Sequence, residues 1–165
     1  ISTRTVKALK IFGDKTGING MLGGQSADVL HTGEIISDEL LYYIYEKKTG
    51  ALIEGAMLTG SVLAGCNDED LAKIKRVGEL VGLAFQIKDD ILDIYGNEKE
   101  IGKPLHSDEK NNKKTYITIN GIEKSEHDIV VMSEEACDIV SSLGNDVEER
   151  DFIIKLIKYL TDRTY

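Results

Sequence analysis

The stretch "GLAFQIKDDILDIYG", Gly82 to Gly96, constrains this chain more than any other. In it and just before it, Leu80, Val81, Leu83, Ala84, Phe85, Ile87, Ile91, Leu92 and Ile94 make a helix apolar on nearly every side. Yet Gln86, Asp89, Asp90 and Asp93 run through its middle, and steps of three and four stack them along one stripe. A surface helix carries a broad polar face; this is a narrow polar stripe on a buried rod. An ionised carboxylate among apolar groups is costly unless it is paired or bound to metal, and carboxylates one turn apart repel each other. The stripe is therefore either a solvated acidic face capped by Lys88 or a cation site looking into a cavity. Oxygen-only ligands suit magnesium or calcium. An EF-hand fails, because counting back from Gly96 gives Ile91, Asp93 and Tyr95 instead of alternating acids. Magnesium, which keeps its waters and takes one or two carboxylates with substrate phosphates, fits a helix-borne set better.

The rest of the chain also reads as helix. Thr3 to Leu30 is predicted as one long helix, although Gly13, Gly17, Gly20, Gly23 and Gly24 recur along it. Each glycine costs up to about 1 kcal/mol relative to alanine, so a flat face for close packing or for a ligand is the expected return. In "SDELLYYIYEKK", Ser37 is a plausible N-cap, with Asp38 and Glu39 at the positive end of the helix dipole and Lys47 and Lys48 at the negative end. Thr49 to Ala64 is almost uniformly small or apolar and is expected to be a buried central helix. Asn67 or Asp68 caps the next helix, from about Glu69 to Tyr95. Residues 97–116 read as an irregular loop, which is uncommon at that length and usually functional. Two amphipathic helices follow, from about Ser125 to Leu143 and from Val147 to Asp162. The fold class is all-α, and 165 residues suffice for one hydrophobic core.

Charge and cysteine content narrow the partners. With 29 acidic against 20 basic residues, the net charge of −9 argues against nucleic acid or an anionic membrane, but leaves room for a local basic pocket. Cys66 and Cys137 fit neither a disulfide framework nor a zinc motif, so reduced thiols in a cytoplasmic protein are expected. The best apolar run, "ALIEGAMLTGSVLAG", is too short to span a bilayer and contains Glu54, so membrane insertion is not expected. The absence of an initiator Met before an already helical pattern suggests the back part of a longer protein.

Four segments in order carry a resemblance. "GINGMLGGQSAD", "KKTGALI", "GLAFQIKDDILDIYG" and "IGKPLHSDEKNNKKTY" resemble the GMxGGQxxD, KTGxL, second DDxxD and lysine-loop segments of the trans-prenyl diphosphate synthases, and "FIIKLIKYLTDRTY" resembles their last helix. Within that family the likeness is to bacterial farnesyl diphosphate synthases, also called geranyltranstransferases. The resemblance implies helices around a deep cavity, with residues 1–165 forming the C-terminal half of a single domain. It also implies a reaction in which an allylic diphosphate, geranyl diphosphate here, ionises with Mg2+ assistance. Isopentenyl diphosphate then attacks the cation and loses a proton to pyrophosphate. It implies metal roles for Asp89, Asp90 and Asp93, with Asp89 the best candidate for direct ligation. Lys48 and Lys103 would contact the allylic diphosphate, and Lys113 would help close the loop over it. Thr49, Gln86 and the Lys48 carbonyl would turn oxygen dipoles toward the allylic cation. Gln25 and Asp28 would line the same cavity and hold water or lysine partners. A homodimer, with the first helix in its interface, is implied too.

Plainer roles exist for each residue: Lys48 as a helix end, Thr49 as an N-cap, Lys103 and Lys113 as solvated loop lysines, and Gln25 and Asp28 satisfying helix ends or each other. The departures matter as well. The family's first aspartate-rich motif, its isopentenyl diphosphate-binding segment and its chain-length determinants are absent from this sequence. His106 stands where relatives have glycine, and Arg163 with Thr-Tyr after it is a weak version of a basic C-terminal lid. Two rival readings follow: a non-catalytic partner subunit that another chain completes, and a class I terpene synthase. The latter lacks support from any NSE-like triad.

Overall fold

Ser2, accepting a hydrogen bond from the Thr5 N–H at 3.2 Å, starts the first helix, α1 (Thr3–Thr16). In this computed structural model, which describes residues 2–96, 113–144 and 147–163, the helix stops there and does not run on to Leu30. The single long helix expected from the sequence is broken at residues 17–20 into α1 and α2 (Met21–Leu30). The cause is local. The Gly17 N–H closes α1 onto the Gly13 carbonyl at 2.8 Å, and the chain then folds so tightly that a Cβ on Gly20 would lie 2.0 Å from the Lys15 carbonyl oxygen. Only glycine fits that approach.

Ser37 caps α3 (Asp38–Tyr45) by accepting from the Leu40 N–H at 3.2 Å, as its sequence predicts. The helix does not finish at Lys47 and Lys48. It passes through a π-helical turn, Glu46–Gly50, straight into α4 (Ala51–Ala64). Asn67 then caps α5 (Asp68–Tyr95), its side chain accepting from the Asp70 N–H at 2.9 Å. After the undescribed residues comes a short helix, α6 (Tyr116–Asn120), closed by a reciprocal capping box between Thr115 and Thr118. The last two helices are α7 (Ile122–Ser141) and α8 (Val147–Asp162), close to the expected bounds.

The axis of the molecule is α5. It packs along α4 and α7 and touches the π turn and α8, while α1 lies on α4 and α2 lies on the π turn. Val77, Ala84 and Ile87 on α5 are 0% exposed, and each of the larger two contributes about 2 kcal/mol through burial. One apolar cluster joins Leu41, Ile44 and Tyr45 of α3 to Ile87 and Ile91 of α5 and Ile129 of α7. A second joins Val77, Leu80 and Val81 to Ala136 and Val140 of α7 and Ile157 of α8. The expectation of a wholly buried α4 does not hold, because Leu52 and Leu63 are exposed on one side of it. Cys66 and Cys137 are free thiols, and no described helix is long and apolar enough to cross a membrane.

Candidate active site

The glycine pattern of α2 explains how its polar residues reach their partners. A Cβ on Gly24 would lie 2.3 Å from the Lys48 backbone nitrogen, so α2 and the π turn meet backbone to backbone. That approach carries Asp28, one turn further along α2, to Lys48. The Lys48 ammonium donates to Asp28 Oδ2 at 2.6 Å. Lys113, just beyond the undescribed residues, reaches the other oxygen at 3.0 Å. Two cations from distant parts of the chain thus share one carboxylate whose side chain is 13% exposed. Burial works to raise the Asp28 carboxyl, but the hydrogen bonds and charges of Lys48 and Lys113 outweigh it and hold the group below the usual carboxylate range. Gln25 lies half-buried on the same helix, one turn before Asp28.

Thr49 is half-buried inside the π turn and caps no helix, since the chain stays helical from Asp38 through Ala64. Single π turns inside α-helices occur frequently at functional sites. On its far side the turn touches α5, where the Gly50 Cα would lie 2.6 Å from a Cβ on Gly82. Gln86, half-buried, is one turn further along α5 from that contact. The close packing of the turn therefore places Asp28, Lys48, Thr49 and the α5 stripe in one neighbourhood.

The stripe itself divides. Successive residues on a helix differ by about 100° in direction, so Asp89 and Asp90 face different neighbours. Asp90 is 7% exposed and turns inward, accepting from the Tyr45 hydroxyl and, at 2.9 Å, from the Tyr116 N–H. Asp93 is 3% exposed. Asp89, with a side chain 38% exposed, takes the guanidinium of Arg163. A solvated acidic face capped by Lys88 is thereby excluded: two of the three aspartates are inside. The sequence offered no hint of Tyr45 or Tyr116 as partners of Asp90, because a hydroxyl and a main-chain N–H brought in by tertiary contact leave no spacing signal. Lys114 was equally unforeseen. It ties the start of α3 to α6, donating to the Ile36 carbonyl at 3.0 Å and pairing with Asp38.

Asp28 and Lys113 line a cavity of about 210 Å³ together with His31, Thr32, Ile44 and Lys114. A larger groove of about 460 Å³ lies against Tyr42, Leu83 and Met132, but Glu46, Glu54, Glu79 and Glu135 on its walls disfavour an anionic ligand. Lys103 and His106 lie outside the described residues. Among the described residues no three His, Cys, Asp or Glu side chains converge as a ready metal cage. The donor set still suits magnesium, which takes one or two carboxylates and completes its shell with water and phosphate oxygens. Asp89 already holds a cationic group in the form of Arg163.

This all-helical arrangement defines the class. The polyprenyl synthetase family profile matches residues 2–155, and the chain belongs to that family. It is 35% identical over 98% of its length to a dimethylallyltranstransferase of Fischerella ambigua, covering 46% of that protein. It is 33% identical over 90% of its length to the farnesyl diphosphate synthase of Bacillus subtilis, covering 49% of it. Its fold matches a geranyltransferase from Helicobacter pylori, solved with magnesium and isoprenyl diphosphate, with a TM-score of 0.76 at 26% identity over 95% of this chain and 52% of that one. The chain thus spans about half the length of the relatives it matches.

Proposed function

We propose that this chain supplies the diphosphate-binding and cation-shielding half of the active site of a prenyltransferase that condenses isopentenyl diphosphate with geranyl diphosphate to give farnesyl diphosphate. The observation that carries the reading is the convergence of Lys48 and Lys113 on Asp28. Such an arrangement holds two ammonium groups on one carboxylate, beside a cavity that Asp28 and Lys113 line. An incoming diphosphate brings more negative charge than Asp28 alone, so it can engage both lysines while Asp28 keeps them in place. Lys103, from the same lysine-rich segment as Lys113, is assigned to the same diphosphate.

As the C1–O bond of the allylic diphosphate breaks, negative charge grows on the leaving group, and fixed ammonium groups stabilise that anion without reorganising. Asp89 would hold Mg2+ with Asp93, and the metal would supply further charge neutralisation at the departing diphosphate. Asp90 acts behind them by fixing the register of α5 against Tyr45 and Tyr116. Thr49 Oγ1, the Gln86 amide oxygen and the Lys48 carbonyl would offer oxygen dipoles to the allylic cation. The C4 carbon of isopentenyl diphosphate forms the new bond to C1, and the C2 proton leaves to the released pyrophosphate. Gln25, one turn before Asp28 on α2, is assigned to the same substrate site. The working protein is proposed as a homodimer with α1 in its interface, acting in the cytoplasm.

Lys48→Ala in the product of the complete reading frame tests the reading. A fall in prenyl transfer of about a hundredfold or more is expected, since one lost transition-state donor costs about 2.7–4 kcal/mol. Unchanged turnover would sink it.

A further inference from the structure

Arg163 sits where the proposed chemistry makes no use of it. It lies one residue beyond α8 and is held to α5 in three ways. Its Nη2 donates to Asp89 Oδ1 and to the Phe85 carbonyl at 3.3 Å, and its guanidinium carbon lies 3.9 Å from the centre of the Phe85 ring. The side chain is only 14% exposed, against 38% for the Asp89 it covers. One further atom is left unsatisfied: the buried Arg163 Nε–H has no hydrogen-bond partner. That unmade bond weakens the docked position.

We infer that Arg163 is the resident counter-cation of Asp89 and must be displaced before a divalent ion can bind there, so that the end of α8 gates metal loading. This rests on the reading of Asp89 as a cation ligand. A guanidinium and a divalent ion bound to the same carboxylate oxygen would lie within a few ångströms of each other, where like charges repel strongly in a partly desolvated setting. The contact to Asp89 goes through one nitrogen, not a two-pronged fork, so the carboxylate itself is held by a single bond, and the Phe85 carbonyl and ring contacts go with it when the side chain leaves. Because Arg163 follows the last residue of α8, its side chain can swing away without moving the helix. A purely structural tie between α8 and α5 makes the opposite forecast: loosening it would lower stability and leave metal affinity unchanged or weaker.

The test is Mn2+ binding to the purified protein without substrate, read from the electron-paramagnetic signal of free Mn2+, alongside a thermal melt. Arg163→Gln is expected to bind Mn2+ roughly threefold to tenfold more tightly than wild type, with Arg163→Lys in between. Asp89→Asn is expected to lose the site, and the double variant with Arg163→Gln not to regain it. Should Arg163→Gln fail to melt cooperatively, Phe85→Leu removes the ring beneath the guanidinium, keeps both charges and carries the same expectation of tighter binding. Equal or weaker affinity in a folded variant, or no Mn2+ binding in wild type and variants alike, overturns the inference. The affinity order holding while prenyl transfer is absent would support the gate and refute only the function reading.

Discussion

Asp89 and Asp90 adjoin in sequence and do different work, and substitution should separate them. Asp90→Ala removes the carboxylate that the Tyr45 hydroxyl donates to and the nearer of two acceptors of the Tyr116 N–H, which keeps the Tyr45 hydroxyl oxygen at 3.2 Å, and a loss of about 1–3 kcal/mol in urea unfolding is expected. Asp89→Ala removes a carboxylate that is 38% exposed, and because the Arg163 side chain is free to turn to water a stability change of about 1 kcal/mol is expected, with activity lost instead. Equal stability losses for the two would show that the stripe is not divided as described. Asp28 sets a pH dependence. Its folded carboxyl lies below the ordinary value of 3.8, so its contribution is complete above that value and disappears as pH falls through the folded one. Unfolding midpoints measured from about pH 6 to about pH 3 should therefore decline, and Asp28→Asn should flatten that part of the decline. A variant that declines as steeply as wild type would place the acid-sensitive group elsewhere.

The helices were legible in the sequence wherever capping and periodicity agreed. Ser37 and Asn67 cap α3 and α5 with side chains that act within one turn of themselves, and apolar periodicity places α7 and α8 near their bounds. What local signals could not foretell was the backbone's path between helices. The break at residues 17–20 is set by the chain folding back tightly on the end of α1, while the π turn at Glu46–Gly50 is met closely by the backbones of α2 and α5, and a glycine announces such an approach without naming its partner. For Gly24 the partner is the backbone at Lys47 and Lys48. Gly24→Ala is accordingly expected to push the π turn away, costing about 1–3 kcal/mol of stability and lowering kcat/KM through misplaced Lys48 and Thr49. A crystal structure of the variant with the turn unmoved and activity intact would contradict this. The same distinction applies at the site. Lys48, Asp28 and Lys113 were readable as charges in family-like segments, whereas Tyr45, Tyr116, Lys114 and the hold of Arg163 on Asp89 arise only from packing.

At the scale of the whole molecule, all-α architecture was plain from composition and period, while the surface the chain presents was not. Val6, Leu9 and Phe12 on α1 and Leu22, Val29 and Leu30 on α2 are more than half exposed, a larger apolar face than an isolated domain normally keeps. The proposed homodimer places α1 in its interface, so this face is where a second copy is expected to pack. The 165-residue chain on its own should self-associate with increasing concentration, as read by sedimentation equilibrium; a monomer at all concentrations would count against an uncovered face. The central claim is that these residues bind and discharge an allylic diphosphate. Its most direct test is radiolabelled isopentenyl diphosphate transfer to geranyl diphosphate by the product of the complete reading frame, with and without Mg2+, in wild type and in Asp89→Ala. The account predicts a Mg2+-dependent fifteen-carbon diphosphate that the variant fails to make. Product formed equally well by Asp89→Ala, or no product from wild type with Mg2+, would contradict it.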